Sequence, residues 1–244
     1  MKKSSQVYAS VLVNALYVMK NYPVTLVNTL LAPLSILVVI VLVSKGSLLA
    51  VSVEGALIMT MVSAGIGLQG DLSHLKNDFR LQDMVVSSPT SAFVYMIGMA
   101  FSEIVYSAPA LMILAVLAML YVHTSIVGVA VTLAVLAMIF TFSIALGFLL
   151  STFSSDIVQN WAFFGLLSTI LTTIPPIYYP ITYIPLPFRY IAYLSPTTYA
   201  AEIAQNAIGY LQLPASSLAI DWIVIIAVTI ALFVMAMRKS KWRE

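Results

Sequence analysis

The chain has 244 residues, of which 61% are apolar and 8% charged, with a mean hydropathy of +1.04 and a formal net charge of +2. Soluble domains carry roughly 25% charged residues, so a water-soluble globular protein is excluded. An all-α integral membrane protein is expected, with one membrane domain over residues 1–244 and no sizeable soluble domain beside it. There is no cysteine, hence no disulfide and no thiolate metal site, and charges this sparse leave no nucleic-acid partner to expect.

The chain opens with MKKSSQVYASVLVNALYVMK. Its basic start and the apolar run Val7 to Met19 have the outline of a signal peptide, but Gln6, Ser10 and Asn14 lie at or near a polar side and the small-residue cleavage pattern is missing. Val7, Leu12, Ala15, Leu16 and Met19 instead suggest an amphipathic helix over residues 1–22, lying in the cytoplasmic interface and anchored by Lys20 and Tyr22. Asn21 to Ser44 carries no charge. Thr25 to Val43 is the first expected span, near the roughly 20 residues that a bilayer core requires, with a kink at Pro33. Lys45 to Glu54 then reads as a short external turn and Val51 to Gln69 as the second span. Gly65 and Gly67, in its cytoplasmic half, read as sites of close helix packing.

Asp71 to Thr90, DLSHLKNDFRLQDMVVSSPT, is the long polar interval between the apolar segments. Leu72, Leu75 and Phe79 recur at three- and four-residue spacing and share one side of a helix, with Lys76, Asp78 and Asp83 largely off it. Such a helix needs a cover for its apolar side, either the membrane interface or a partner protein.

Ala92 to Leu120 and Ser125 to Thr152 are the third and fourth expected spans, joined by a turn containing His123. Ile157 to Tyr178 is the fifth, ending in the breaker run Ile174-Pro175-Pro176, and Leu218 to Met237 is the sixth. Between the last two, residues 179–217 are largely apolar yet broken by Pro180, Pro185, Pro187, Pro196 and Pro214. Within that stretch Thr197 to Ile208 is expected as a helix, with Ser195 as its cap and Pro196 in its first turn. The tyrosines around it suit a membrane interface. Short external helices that dip into the outer leaflet and return fit this pattern, since irregular backbone there must be buried against protein or water.

Six spans put both termini on one side. Lys2, Lys3, Lys20, Lys76, Arg80, Arg238, Lys239, Lys241 and Arg243 fall on that face, with Lys45 and Arg189 on the other. The positive-inside rule then makes both termini and the 71–90 segment cytoplasmic in a multi-pass protein of the cell membrane.

Few side chains in the spans carry chemistry. Glu103 is the acidic residue placed inside a long span, which makes it a functional candidate; a span that begins later puts it near the interface as a structural partner. Asp156 reads as a helix cap, and Glu202 and Arg189 stand as a possible mutual pair. Two histidines, no HExxH pattern and no cysteine give no support to a metal site.

The order of these parts resembles the permease subunit of type-2 ABC exporters. The features that carry the resemblance are the amphipathic N-terminal helix, the polar helix after span two with Ser87-Ser88-Pro89-Thr90 behind it, and LSPTTYAAEIAQNAI (Leu194 to Ile208). The last is similar to that family's Pro-x-Thr-Tyr stretch before the final helix. The resemblance implies a transport subunit that pairs with a second permease copy among membrane lipids and rests on ATP-binding cassette subunits. The chain has no GxxxxGKS/T loop, so ATP and Mg would be bound and ATP hydrolysed by the partner, with no cofactor on this chain. Carried over, Leu72, Leu75 and Phe79 of the coupling helix would fill a groove on the cassette, and Lys76, Asp78, Arg80 and Asp83 would set its orientation. A solvated loop with interfacial leucines is the other reading of that segment.

The resemblance also implies a substrate path between the two copies, lined by the first, second and fifth spans. Asn28, Thr29, Thr60, Ser63, Asn160, Ser168, Thr172 and Thr173 supply polar groups there, and Met59, Phe163 and Phe164 supply apolar surface. Such a lining suits an amphipathic drug, lipid or lipid-linked molecule, although ordinary helix packing has the same composition. Two other classes compete. A membrane-embedded enzyme needs a convergent set of catalytic side chains, and the charges here are too few and dispersed. A self-powered secondary transporter using Glu103 for ion coupling is the runner-up, against which stand the lack of repeated halves and of further buried ionisable groups.

Overall fold

The computed structural model describes residues 3–77, 92–151, 153 and 157–239. Among these all regular structure is helical. The order is α1 (Lys3–Val11), a π-helical stretch (Leu12–Tyr17), α2 (Val18–Asn21), α3 (Pro23–Val43), α4 (Leu49–Asn77), α5 (Ala92–Tyr121), α6 (Ile126–Ser151) and α7 (Ile157–Ser168). It continues with a second π-helical stretch (Thr169–Thr173), a 3-10 turn (Ile181–Tyr183), α8 (Leu186–Ala192), α9 (Pro196–Ala207) and α10 (Ala215–Lys239). Among the described residues, five stretches are long and apolar enough to cross a membrane: Pro23–Val43, Leu49–Gly70, Val94–Tyr121, Ile126–Ser151 and Ala215–Arg238.

The N-terminal helix is amphipathic in the inverted sense. Two of its polar side chains face protein: Ser10 Oγ lies 3.3 Å from Ser102 Oγ, and Asn14 Nδ2 donates to Ser10 Oγ at 3.2 Å. Gly98 on α5 permits this approach, because a Cβ there would sit 3.0 Å from that of Ser10. Tyr8, Leu12, Val13 and Leu16 are exposed instead. An apolar outer face with polar contacts inside suits a helix immersed in lipid.

Pro23 opens α3 with its fixed φ and no orphaned N–H. The helix closes on a left-handed pair, Lys45 (φ 51°) and Gly46 (φ 85°), with Gly46 N donating to the Val41 carbonyl at 2.8 Å. The second span starts earlier than the sequence suggests. Lys45 to Glu54 is not a turn throughout: α4 begins at Leu49, and Glu54 is inside it, 3% exposed. The helix then runs unbroken past the end of the expected span as far as Asn77.

α4 is the central pillar, buried at every position from Val51 to Thr60. It crosses α6 through glycines: Gly65 packs on Ser143 and Ile144, and a Cβ on Gly147 would fall 2.6 Å from the Gly65 carbonyl. Ile58, Val62 and Ile66 of α4 share the main core with Leu114, Ile139, Phe142, Ile203 and Ile225. A smaller core joins Leu68 to Met96, Met99, Phe140, Phe148 and Ala236. Gly67 differs from Gly65, since among the described residues only Glu103 Oε2, at 3.8 Å, lies near the place of its missing Cβ.

The fifth expected span does not continue to Tyr178. Its helix is α7 followed by the π-helical stretch, and regular structure ends at Thr173. Pro175 and Pro176 lack the N–H groups that would close α-helical bonds on the carbonyls of Leu171 and Thr172. The proline-broken segment over residues 179–217 supplies a substitute, for Thr197 Oγ1 donates to Leu171 O at 2.6 Å. Gln205 Nε2 reaches Pro176 O at 3.2 Å and Tyr179 O at 3.3 Å. α9 is thus a core element, with Thr197, Thr198, Ala200, Ala201, Glu202, Ile203, Ala204 and Gln205 all buried. Ser195 holds the cap position but makes no capping bond; its hydroxyl lies 2.8 Å from Thr197 Oγ1.

Candidate functional site

A cavity of about 380 Å³ opens among the N-terminal helices, α3, α4, α5 and α7. That lies within the roughly 300–1,000 Å³ range of small-molecule sites. The α4 wall is one helical face, because Thr60, Ser63, Ala64 and Gly67 recur at three- and four-residue spacing. The α5 wall carries Glu103, Tyr106 and Ser107 by the same spacing. α3 contributes Thr25, Asn28, Thr29, Ala32 and Pro33; the proline leaves the Thr29 carbonyl without its helical donor. Trp161, Phe164 and Ser168 come from α7, and Asn14 and Val18 close the cavity from the N-terminal side. Trp161 and Phe164 meet edge to face, with centroids 5.8 Å apart and planes at 77°.

Of the residues expected along a path, Asn28, Thr60, Ser63 and Phe164 lie together on this wall, as do Thr29, Met59 and Ser168. Four others lie elsewhere, among them Thr173, which is exposed at the end of the second π-helical stretch. Asn160 is buried against α4, its backbone carbonyl accepting from Gln69 Nε2 at 3.0 Å. Thr172 is buried with its hydroxyl donating to Ser168 O at 2.6 Å, and Phe163 is half-buried off the cavity. Sequence reasoning missed Asn14, Tyr106, Ser107 and Trp161. The signal for two of them was present, since Tyr106 and Ser107 follow Glu103 by three and four residues.

Glu103 lies within the apolar stretch Val94–Tyr121 and is 7% exposed. Its Oε2 overlies the bare backbone of Gly67, another residue of the cavity wall. Among the described residues, those that line the cavity include no Lys, Arg or His.

Among the described residues three further carboxyl groups are buried, those of Glu54, Glu202 and Asp221. Glu54 on α4 faces the Thr132 hydroxyl of α6, and its Oε2 has no hydrogen-bond partner. Its reading as a turn residue concealed it; the apolar neighbours on both sides were the signal. Glu202 on α9 accepts from the Tyr193 hydroxyl at 2.9 Å. Burial pushes the Glu202 carboxyl up to about 7, opposed by the Tyr193 hydrogen bond and reinforced by Asp221. Burial raises the Tyr193 and Tyr199 phenols as well, with Glu202 and Asp221 adding to the effect. Glu202 does not pair with Arg189, whose Nε and Nη2 donate to Ile184 O at 2.6 Å and Thr182 O at 2.8 Å. His123 is exposed in the turn between α5 and α6. No group of three or more His, Cys, Asp or Glu able to hold a metal occurs among the described residues.

Of the polar segment, the backbone of Leu72, Leu75 and Lys76 forms the last turns of α4. Asp78, Phe79, Arg80 and Asp83 lie outside the described residues, as does Asp156.

No curated protein matches the chain. Residues 5–208, most of its length, match the ABC-2 type transporter family. The chain therefore belongs to that family and is the membrane-embedded permease subunit of an ABC transporter, a transport component without a catalytic role of its own.

Proposed function

We propose that this permease is one half of a dimeric exporter, driven by ATP-binding cassettes, that moves an amphipathic drug, lipid or lipid-linked molecule out of the cytoplasm or inner leaflet. The cassettes bind ATP and Mg; this chain binds neither. Residues 1–22 form the interfacial helix, 71–90 the coupling segment and 179–217 the external re-entrant segment. Six crossings leave both termini in the cytoplasm. In support of the sixth crossing, the continuous helical run from Ile157 to Thr173 rises about 25 Å.

The observation that carries this reading is the continuity of α4. The cavity residues Thr60, Ser63 and Gly67 and the segment bearing Leu72 and Leu75 belong to one unbroken helix, Leu49–Asn77. From Gly67 to Asn77 that helix extends about 15 Å. A cassette that engages Leu72, Leu75 and Phe79, oriented by Lys76, Asp78, Arg80 and Asp83, therefore moves a cavity wall directly. α3 and α7 expose Val24, Val27, Leu31, Val158, Trp161 and Leu166, an apolar surface that suits lipid or the second copy. ATP-driven accumulation of a fluorescent amphiphile by inverted membrane vesicles tests the reading. Accumulation that needs this chain is expected, and accumulation driven by a proton gradient without ATP contradicts it.

A further inference from the structure

We propose that the π-helical stretch Thr169–Thr173 is a hinge, about which α7 swings the cavity wall it carries while the far end of the same helical run stays fixed. Burial changes abruptly at this stretch. Among the described residues from Val158 to Ile170, Asn160 alone is buried, whereas Leu171, Thr172, Pro175, Pro176, Ile177 and Tyr178 all are. The buried side is clamped by two other helices. Leu171 O accepts from Thr197 Oγ1 of α9, Pro176 O and Tyr179 O accept from Gln205 Nε2 of α9, and Tyr178 O accepts from Ser52 Oγ of α4 at 3.3 Å. On the other side of the stretch, Gln69 Nε2 of α4 ties α7 to the lower part of that helix through Asn160 O.

The local bonding suits a joint. A π turn holds one residue more than an α turn, and here Ile174 N reaches back five residues to Thr169 O at 3.2 Å. The Thr169 and Thr172 hydroxyls donate to Gly165 O at 2.9 Å and Ser168 O at 2.6 Å. Those carbonyls therefore keep a partner when the backbone N–H groups shift, as a bend at membrane depth requires. Trp161, Phe164 and Ser168 of the cavity wall all precede the stretch. Val158 lies about 20 Å along the run from Leu171. A bend of about 20°, that of a helix kink, moves it by about 7 Å and alters the width of the cavity. This goes beyond the cassette-driven reading and does not depend on it.

The chain has no cysteine, so pairs of introduced cysteines carry the only spin labels. Double electron–electron resonance on the full chain in lipid nanodiscs, diluted with unlabelled chain, measures the distance from Ile126 on α6 to Val158 or to Ile174, all exposed positions. Gln69→Leu, close in size, frees α7 from α4. In that variant the Val158 distance should spread over about 7 Å, while the Ile174 distance stays single and narrow. Deletion of Ile170 in the same background, which turns the π turn into an α turn, should narrow the Val158 distance to match. Equal widths at Val158 and Ile174 in Gln69→Leu overturn the proposal, whether both are narrow or both wide. A Val158 distance that stays wide in a folded Ile170 deletion overturns it as well. The comparison of Val158 with Ile174 needs no deletion, so it decides by itself if the deletion fails to fold. None of these results touches the cassette-driven reading, because the measurement involves neither ATPase nor substrate.

Discussion

The hydroxyl of Thr197 donates to the backbone carbonyl of Leu171 at 2.6 Å, closing a gap that two prolines open in a helix 26 residues away in sequence. Pro175 cannot supply the N–H that an uninterrupted helix would direct at Leu171. The two residues are both buried, so removal of the donor leaves a carbonyl with neither water nor protein to bond. Thr197→Val is expected to lower stability by about 1–3 kcal/mol, and Thr197→Ser to recover most of the loss. Thermal unfolding in detergent measures both; a valine variant as stable as the parent would show that the bond is dispensable.

The crossing of α4 and α6 depends on absent side chains. A Cβ on Gly147 would meet the Gly65 carbonyl at 2.6 Å, whereas one on Gly70 meets nothing within 4 Å among the described residues. Gly147→Ala should therefore cost about 1–3 kcal/mol through forced separation of the helices. Gly70→Ala should be neutral or gain a few tenths up to about 1 kcal/mol from helix propensity. Comparison of the two melting temperatures checks the contrast.

Glu202 predicts the direction in which pH acts on stability. Its carboxyl is raised in the folded protein from 4.5 to about 7, chiefly by burial. The folded state therefore holds a proton that the unfolded chain releases at lower pH. The stabilisation from this group is complete below about 4.5 and is lost as pH rises through about 7. Melting temperature should fall across that window, and Glu202→Gln should flatten the profile. A profile of the same slope in the variant would place the titration elsewhere.

Hydropathy made the long apolar spans legible in the sequence because an unbroken apolar run leaves no other stable arrangement of its backbone. It failed where polarity serves the interior. Glu54, close to Lys45 and Gly46, reads as part of a turn, yet it is buried within α4. α9 reads as a helix in a proline-broken stretch whose tyrosines suit an interface, and its sequence does not show that Glu202, Thr197 and Gln205 bond inward, to Tyr193 and to carbonyls at and before the proline run. Ser10 and Asn14 have the spacing of a wet face and instead dock on α5. In each case the polar side chain answers an orphaned or buried partner elsewhere in the chain, and periodicity within one segment carries no record of that partner. Asn28, Thr60, Ser63 and Phe164 were grouped through the family resemblance, which sets the first, second and fifth spans around one path, and all four line the cavity.

Cassette partnership is the central claim, and extraction of the tagged chain from native membranes in mild detergent tests it most directly. The account predicts that a nucleotide-binding subunit with ATPase activity co-purifies, and that Leu75→Asp or Phe79→Asp abolishes its recovery while the permease still inserts. Intact permease recovered without any ATPase, or an ATPase retained equally by both aspartate variants, would contradict it.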